Sequence, residues 1–68
     1  MRNWLKEMRL DHKMSQKYVS KKLNISQQYY ASIESGERQK NLKLPLVIKI
    51  SELFNIPIDF IIDKENER

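Results

Sequence analysis

The chain has 68 residues, with 13 Lys plus Arg, 9 Asp plus Glu, a single histidine and no cysteine, for a formal net charge of +4. That length suits one small domain, and a chain of this size buries only about 60% of the surface it exposes when unfolded. Without cysteine there is no disulfide framework and no Cys-based zinc site, and His12 alone supports neither a His-based metal centre nor a Ser-His-Asp triad.

The chain opens Met1-Arg2-Asn3-Trp4 and passes into a charged segment, unlike the apolar core of a signal peptide. No apolar run, Phe60-Ile61-Ile62 included, approaches the ~20 residues of a membrane span. The expectation is a soluble, cytoplasmic domain over residues 1–63, in a bacterial or phage setting, with a frayed tail at 64–68. Apolar residues recur at helical spacing almost throughout, which predicts five helices and no sheet. The first covers about 2–11, with Trp4, Leu5 and Met8 on one stripe. Ser15 is a good N-cap for a second helix over about 15–22, predicted to bury Tyr18 and Val19, with Leu23 closing it. Asn24 tolerates the left-handed backbone that ends a helix.

Ser26 caps a third helix over about 26–35, with Tyr30 and Ile33 on its inner face. Gly36 stands where a helix C-terminus commonly needs positive φ. Glu37 to Lys43 reads as a polar loop. Pro45 fits the first turn of a fourth helix, whose apolar face is Leu46, Val47, Ile50, Leu53 and Phe54. Asn55 ends it, and Pro57 opens a short fifth helix carrying Ile58, Phe60, Ile61 and Ile62.

The charges are unevenly placed. Residues 1–40 carry nine basic and four acidic side chains, whereas residues 41–68 carry four basic and five acidic. From His12 through Ile33 there is no acidic residue, and Lys13, Lys17, Lys21 and Lys22 fall in that window. Such a block suits an anionic partner, because each neutralised phosphate releases counterions; it equally suits a solvated helix face. Gln16 and Lys17 open the second helix, where unsatisfied N–H groups and the helix dipole favour an anion.

Leu23-Asn24-Ile25 is too short a connection for two antiparallel helices, so the second and third cross as a helix-turn-helix. Ser20 is small where they approach, and Val19, Ile25, Tyr30 and Ile33 suit a shared core. The stretch Met14-Ser15-Gln16, Val19-Ser20-Lys21-Lys22-Leu23-Asn24-Ile25-Ser26-Gln27-Gln28, Ile33-Glu34-Ser35-Gly36 resembles the phage repressor and Cro type of domain, lambda-repressor-like and of the XRE family. Leu53-Phe54-Asn55-Ile56-Pro57-Ile58-Asp59 resembles that family's final helix pair. The likeness spans about residues 3–62. Ser20 and Asn24 stand where alanine and glycine are commoner in the family, and Tyr30 where an aliphatic residue is.

The resemblance implies an all-α, five-helix DNA-binding domain with its third helix in the major groove. It implies that Gln16 touches backbone phosphate, that Gln27, Gln28 and Ser32 meet base edges, and that Arg9 and Glu34 form a structural salt bridge. The chemistry suits those roles. A glutamine carboxamide offers one donor and one acceptor, which matches N6 and N7 of adenine and discriminates by about 1–3 kcal/mol. Ser32, a turn beyond Gln28, either bonds a base edge or is a small spacer. Tyr29 offers its ring to a thymine methyl or its hydroxyl to a phosphate, or stays idle. Lys17, Ser26, Arg38, Lys40 and Lys13 complete the expected phosphate contacts, which position a domain without reading sequence.

The expected function is sequence-specific regulation of transcription, as a repressor acting on double-stranded DNA with a pseudo-palindromic operator. One module reads few base pairs, which calls for a homodimer spaced about one DNA turn, ~34 Å. Ile58, Phe60 and Ile61 are the candidate two-fold contacts, or else core. The alternative is a protein-interaction module, such as an antitoxin or co-regulator. No cofactor, metal, small-molecule ligand or membrane partner is expected, and no constellation of nucleophile, base and acid marks an enzyme.

Overall fold

The computed structural model describes residues 2–36 and 42–67, and these form five α-helices with no strand among the described residues. They are α1 (Asn3–Asp11), α2 (Gln16–Lys22), α3 (Gln27–Ser35), α4 (Leu44–Phe54) and α5 (Ile58–Asn66). Helix starts follow from their caps. The Ser15 hydroxyl accepts from the Tyr18 N–H, and the Ser26 hydroxyl from the Tyr29 N–H, each at 3.0 Å. Helix α4 has no side-chain cap but carries Pro45 in its first turn, where the missing N–H removes no intrahelical bond.

Helix ends follow from left-handed residues at Lys13, Asn24, Gly36 and Asn55, with φ of 57°, 61°, 84° and 55°. At the elbow between α2 and α3, the Ile25 N–H donates to the Ser20 carbonyl and the Asn24 N–H to the Lys21 carbonyl. That pair of bonds is the Schellman arrangement, and it turns the chain with three residues. The turn between α1 and α2 repeats it, with Met14 N–H on the Arg9 carbonyl and Lys13 N–H on that of Leu10. Here lysine occupies the position that glycine or asparagine usually takes, so no local signal announced it.

Helix α2 packs on α3, α4 on α5, and α1 on α3. Their shared core is Leu5, Val19, Leu23, Tyr30, Ile33, Val47, Ile50, Phe54 and Ile61, edged by partly buried Trp4, Met8, Ile25 and Leu53 among others. Each such aliphatic or aromatic side chain contributes about 1.5–3 kcal/mol relative to staying in water. Ser20 is buried where α2 meets its neighbours, its hydroxyl donating to the Lys17 carbonyl at 2.8 Å.

Two expectations need correction, and for Ile61 one of two alternatives is decided. Tyr18 is 45% exposed, not buried, because Val19 and Ser20 take the inward direction of that turn; the Lys22 ammonium sits 5.5 Å over the Tyr18 ring. Ile61 is fully buried, so its side chain belongs to the core and presents nothing to a second copy. The anticipated frayed tail is helical through Asn66. Glu65 holds it there, accepting hydrogen bonds from Arg2 and from the Trp4 indole. Residues 37–41 lie outside the described residues, and with them most of the predicted loop, including Arg38 and Lys40.

Candidate nucleic-acid interface

Gln27 and Gln28 form the first turn of α3, and both side chains are exposed. The Ser26 cap leaves them in helical conformation at the outer end of that helix. Ser32 lies one turn further on, half-buried, with its hydroxyl donating to the Gln28 carbonyl at 3.0 Å. That bond occupies its hydroxyl proton and leaves its oxygen as an acceptor. Tyr29 points elsewhere. It is half-buried and lines an apolar groove with Leu23, Ile25, Pro45 and Leu46, rimmed by Lys43 and Lys49.

Lys17, Ser20, Lys21, Asn24, Ile25, Ser26 and Gln27 border one open depression at the elbow. The turn therefore gathers two lysines and the capped start of α3 on one surface, although Lys17 and Gln27 are ten residues apart. Lys13 is not part of it. With its left-handed backbone it lines a separate depression beside His12, Met14, Ser15 and Tyr18. His12 is exposed, bonds the Met8 carbonyl through Nδ1 at 2.9 Å and meets Phe54 edge-on at 5.1 Å.

Beneath this surface runs a buried ionic network. Arg9 donates from Nε to Glu34 Oε2 at 3.0 Å and from Nη2 to Oε1 at 3.1 Å. Its Nη1 reaches the Met14 carbonyl at 3.0 Å, which fixes the turn that leads into α2. Gln16 joins the same carboxylate, donating from Nε2 to Oε1 at 3.2 Å. A carboxamide nitrogen carries two N–H groups, so this bond orients Gln16 and leaves a second donor. Burial alone would raise the Glu34 carboxyl, but the hydrogen bonds from Arg9, with that from Gln16 adding to them, hold it below the usual carboxylate value. The Glu34 hydrogen bond likewise outweighs burial and raises the Arg9 guanidinium. Burial, helped by the Glu34 charge, pushes the Tyr30 hydroxyl up.

On α5, Ile58 and Phe60 are half-buried, and the Lys64 ammonium stands 5.6 Å over the Phe60 ring. Exposed apolar side chains occur nearby in sequence at Leu44, Ile48 and Ile62. Two features escaped the sequence. Arg2, counted there only as a basic residue, is fully buried, with Nη1 on the Ile33 carbonyl at 2.6 Å and Nε on both Glu65 oxygens at 3.0 Å. Lys49 reaches from α4 to the Leu23 carbonyl at 3.4 Å. Neither has a local signal, since the partners lie 63 and 26 positions away.

Comparison with known proteins agrees with this geometry. A family model described as helix-turn-helix matches residues 5–61. The chain is 36% identical over 67 residues to a Methanocaldococcus jannaschii protein described as an uncharacterized HTH-type transcriptional regulator, and the match covers 98% of each chain. No solved structure matches. No helix among the described residues is long and apolar enough to cross a membrane.

Proposed function

Since the chain belongs to the XRE-type helix-turn-helix family, we propose that it binds double-stranded DNA by sequence and regulates transcription, with α3 as the reading element. The observation that carries this is the pair Gln27 and Gln28, exposed on the first turn of a helix whose opposite face is core. A helix entering the major groove does so with its N-terminal residues against base edges. Two adjacent glutamines there suit adjacent adenines. Ser32 follows on the same side. Tyr29, packed along the α4 groove, serves the reading head through its rim or by bracing α3.

Phosphate contact falls to Lys17 and Ser26 at the elbow and to Gln16, whose second N–H points away from the Glu34 bond. Lys13 serves a flanking phosphate, and Arg38 and Lys40 complete the set. These contacts fix the domain's position and make binding fall as salt rises. The action is that of an intracellular repressor working as a homodimer on a pseudo-palindromic operator, with Ile58 and Phe60 at the two-fold contact. This is a binder and not a catalyst.

Selection from a random duplex library tests the proposal. A symmetric motif with adenine-rich half-sites is the expected product, with affinity falling steeply between low and moderate salt. If no sequence is enriched, and a stoichiometric protein partner is recovered instead, the chain is a protein-interaction module.

A further inference from the structure

We propose that Arg2 and Glu65 form a positioning clamp for α3, so that the last turn of α5 governs DNA selectivity while lying away from the reading head. This rests on α3 being the reading element.

Arginine is almost never fully buried unless it is paired, yet Arg2 has no exposed surface. Its bonds run in two directions. The main-chain N–H donates to the Glu34 carbonyl at 2.8 Å, and Nη1 donates to the Ile33 carbonyl at 2.6 Å. Both acceptors belong to the final turn of α3, where carbonyls lack the N–H four residues on, and that of Ile33 otherwise accepts, among the described residues, only from the capping Gly36 N–H at 3.2 Å. On the other side Glu65 takes Nε with both oxygens and Nη2 with Oε1, all at 3.0 Å, and accepts the Trp4 indole N–H at 3.0 Å as well. The last turn of α3 contains no basic residue of its own. Arg2 therefore supplies from the start of the chain the cation that the negative end of that helix dipole favours.

Helix α3 is thus gripped at one end. Arg9 holds the Glu34 side chain and Arg2 holds the backbone of the same turn, whereas Gln27 and Gln28 project at the other end. Gln27 stands about 9 Å along the axis from Ile33, at ~1.5 Å per residue. A tilt of about 6° at the grip displaces it by about 1 Å, more than the spread of good hydrogen-bond lengths. Glu65 is what keeps a buried guanidinium in place. Without its charge, Arg2 has reason to leave the site for water, and the Ile33 carbonyl is left, among the described residues, with only its 3.2 Å bond from the Gly36 N–H.

The test compares Glu65→Gln with Asp63→Asn in the full chain. Both remove one negative charge from α5, and only the first touches the clamp. Binding to the selected duplex and to a scrambled one is measured across salt concentrations, at a temperature where circular dichroism shows both variants folded. Losing an acidic charge by itself favours a polyanion, so a loss of selectivity runs against the electrostatic trend. Glu65→Gln is expected to lose about threefold to tenfold in the selected-to-scrambled ratio, with the salt slope unchanged because no phosphate contact is removed. Asp63→Asn is expected to keep the ratio. A wild-type ratio in Glu65→Gln overturns the clamp. So does an equal loss in Asp63→Asn. If Glu65→Gln does not fold, Trp4→Phe decides at a temperature where it is folded: it deletes the indole donor to Glu65 and trims the ring's packing at the core edge while leaving the Arg2–Glu65 pair, a smaller drop in the ratio supports the clamp, and no change overturns it. A wild-type chain with no sequence preference instead sinks the reading-head assignment itself.

Discussion

Arg9 and Glu34, 25 positions apart, close a two-point ion pair inside the domain, Nε on Oε2 at 3.0 Å and Nη2 on Oε1 at 3.1 Å. Their side chains are only 9% and 3% exposed. Removing one partner leaves the other charge buried without compensation, at a cost of about 3–5 kcal/mol. Glu34→Gln and Arg9→Leu are both expected to fall in that range by urea unfolding. A double variant carrying Leu at 9 and Met at 34 is expected to recover part of the loss. Two single variants within 0.5 kcal/mol or so of wild type, the range of an ordinary surface change, would dismiss the pair as a determinant of stability.

The same pair sets an acid limit. Glu34 titrates in the fold below its ordinary value of 4.5, which the unfolded chain retains. Its contribution is therefore fully present above that value and is lost as pH falls through the lower folded value. The stability gap between wild type and Glu34→Gln is expected to be constant from pH 7 to 6 and to narrow below about 4.5. Unfolding curves at several pH values check this, and a gap undiminished at strongly acid pH contradicts it.

Base reading and phosphate holding separate by their salt dependence. Gln28→Ala is expected to cost about 1–3 kcal/mol on the selected duplex and little on a scrambled one. Lys17→Ala is expected to weaken both alike and to reduce the slope of log K against log salt by about 0.9. Fluorescence anisotropy over a salt series measures both quantities. The opposite pattern, a slope change for Gln28 and none for Lys17, reverses the two roles.

Lys13 carries a positive φ of 57° at the end of α1. A residue with a Cβ is strained there by about 1–2 kcal/mol, and glycine is not. Lys13→Gly is expected to raise stability by about 1 kcal/mol, part of the relief being offset by the greater freedom of glycine in the unfolded chain. If Lys13 also holds a phosphate, the variant binds DNA more weakly while melting later. Calorimetry together with the binding series reads both effects.

Phe60 and Ile61 are neighbours with opposite fates. Phe60→Asp is expected to leave a folded chain and to shift sedimentation equilibrium towards monomer. Ile61→Asp buries a charge in the core and is expected to unfold the domain, visible as loss of helical circular dichroism. Wild-type chain that sediments as a monomer even on operator-length DNA removes the homodimer.

The helices, their caps and the elbow were legible because each depends on a few neighbouring residues: Ser15 and Ser26 on the N–H groups three positions on, Asn24 and Gly36 on their own φ. The exposed Gln27 and Gln28 follow from the same local pattern, as does the inward Tyr30. Arg9 with Glu34 came from likeness to a family, since spacing along the chain does not pair residues 25 positions apart. Lys13 as a left-handed residue, and Tyr18 as an exposed one, show the limit. Propensity disfavours the first and hydrophobicity the second, and only the folded arrangement of the helices decided both.

By itself, then, a sequence of 68 residues with a net charge of +4 and no cysteine determined five helices, a helix-turn-helix and the side of α3 that faces outward. These are set by periodicity, capping and short turns, which act over a few residues. Tertiary structure alone decided that Arg2 is buried, that Glu65 extends α5 in place of a loose tail, that Ile61 is core, and that Lys17 shares a surface with Gln27 while Lys13 does not. Those outcomes join positions as much as 63 residues apart. Desolvating an arginine or an isoleucine is favourable only where distant groups converge on it, and that convergence exists only in the folded chain.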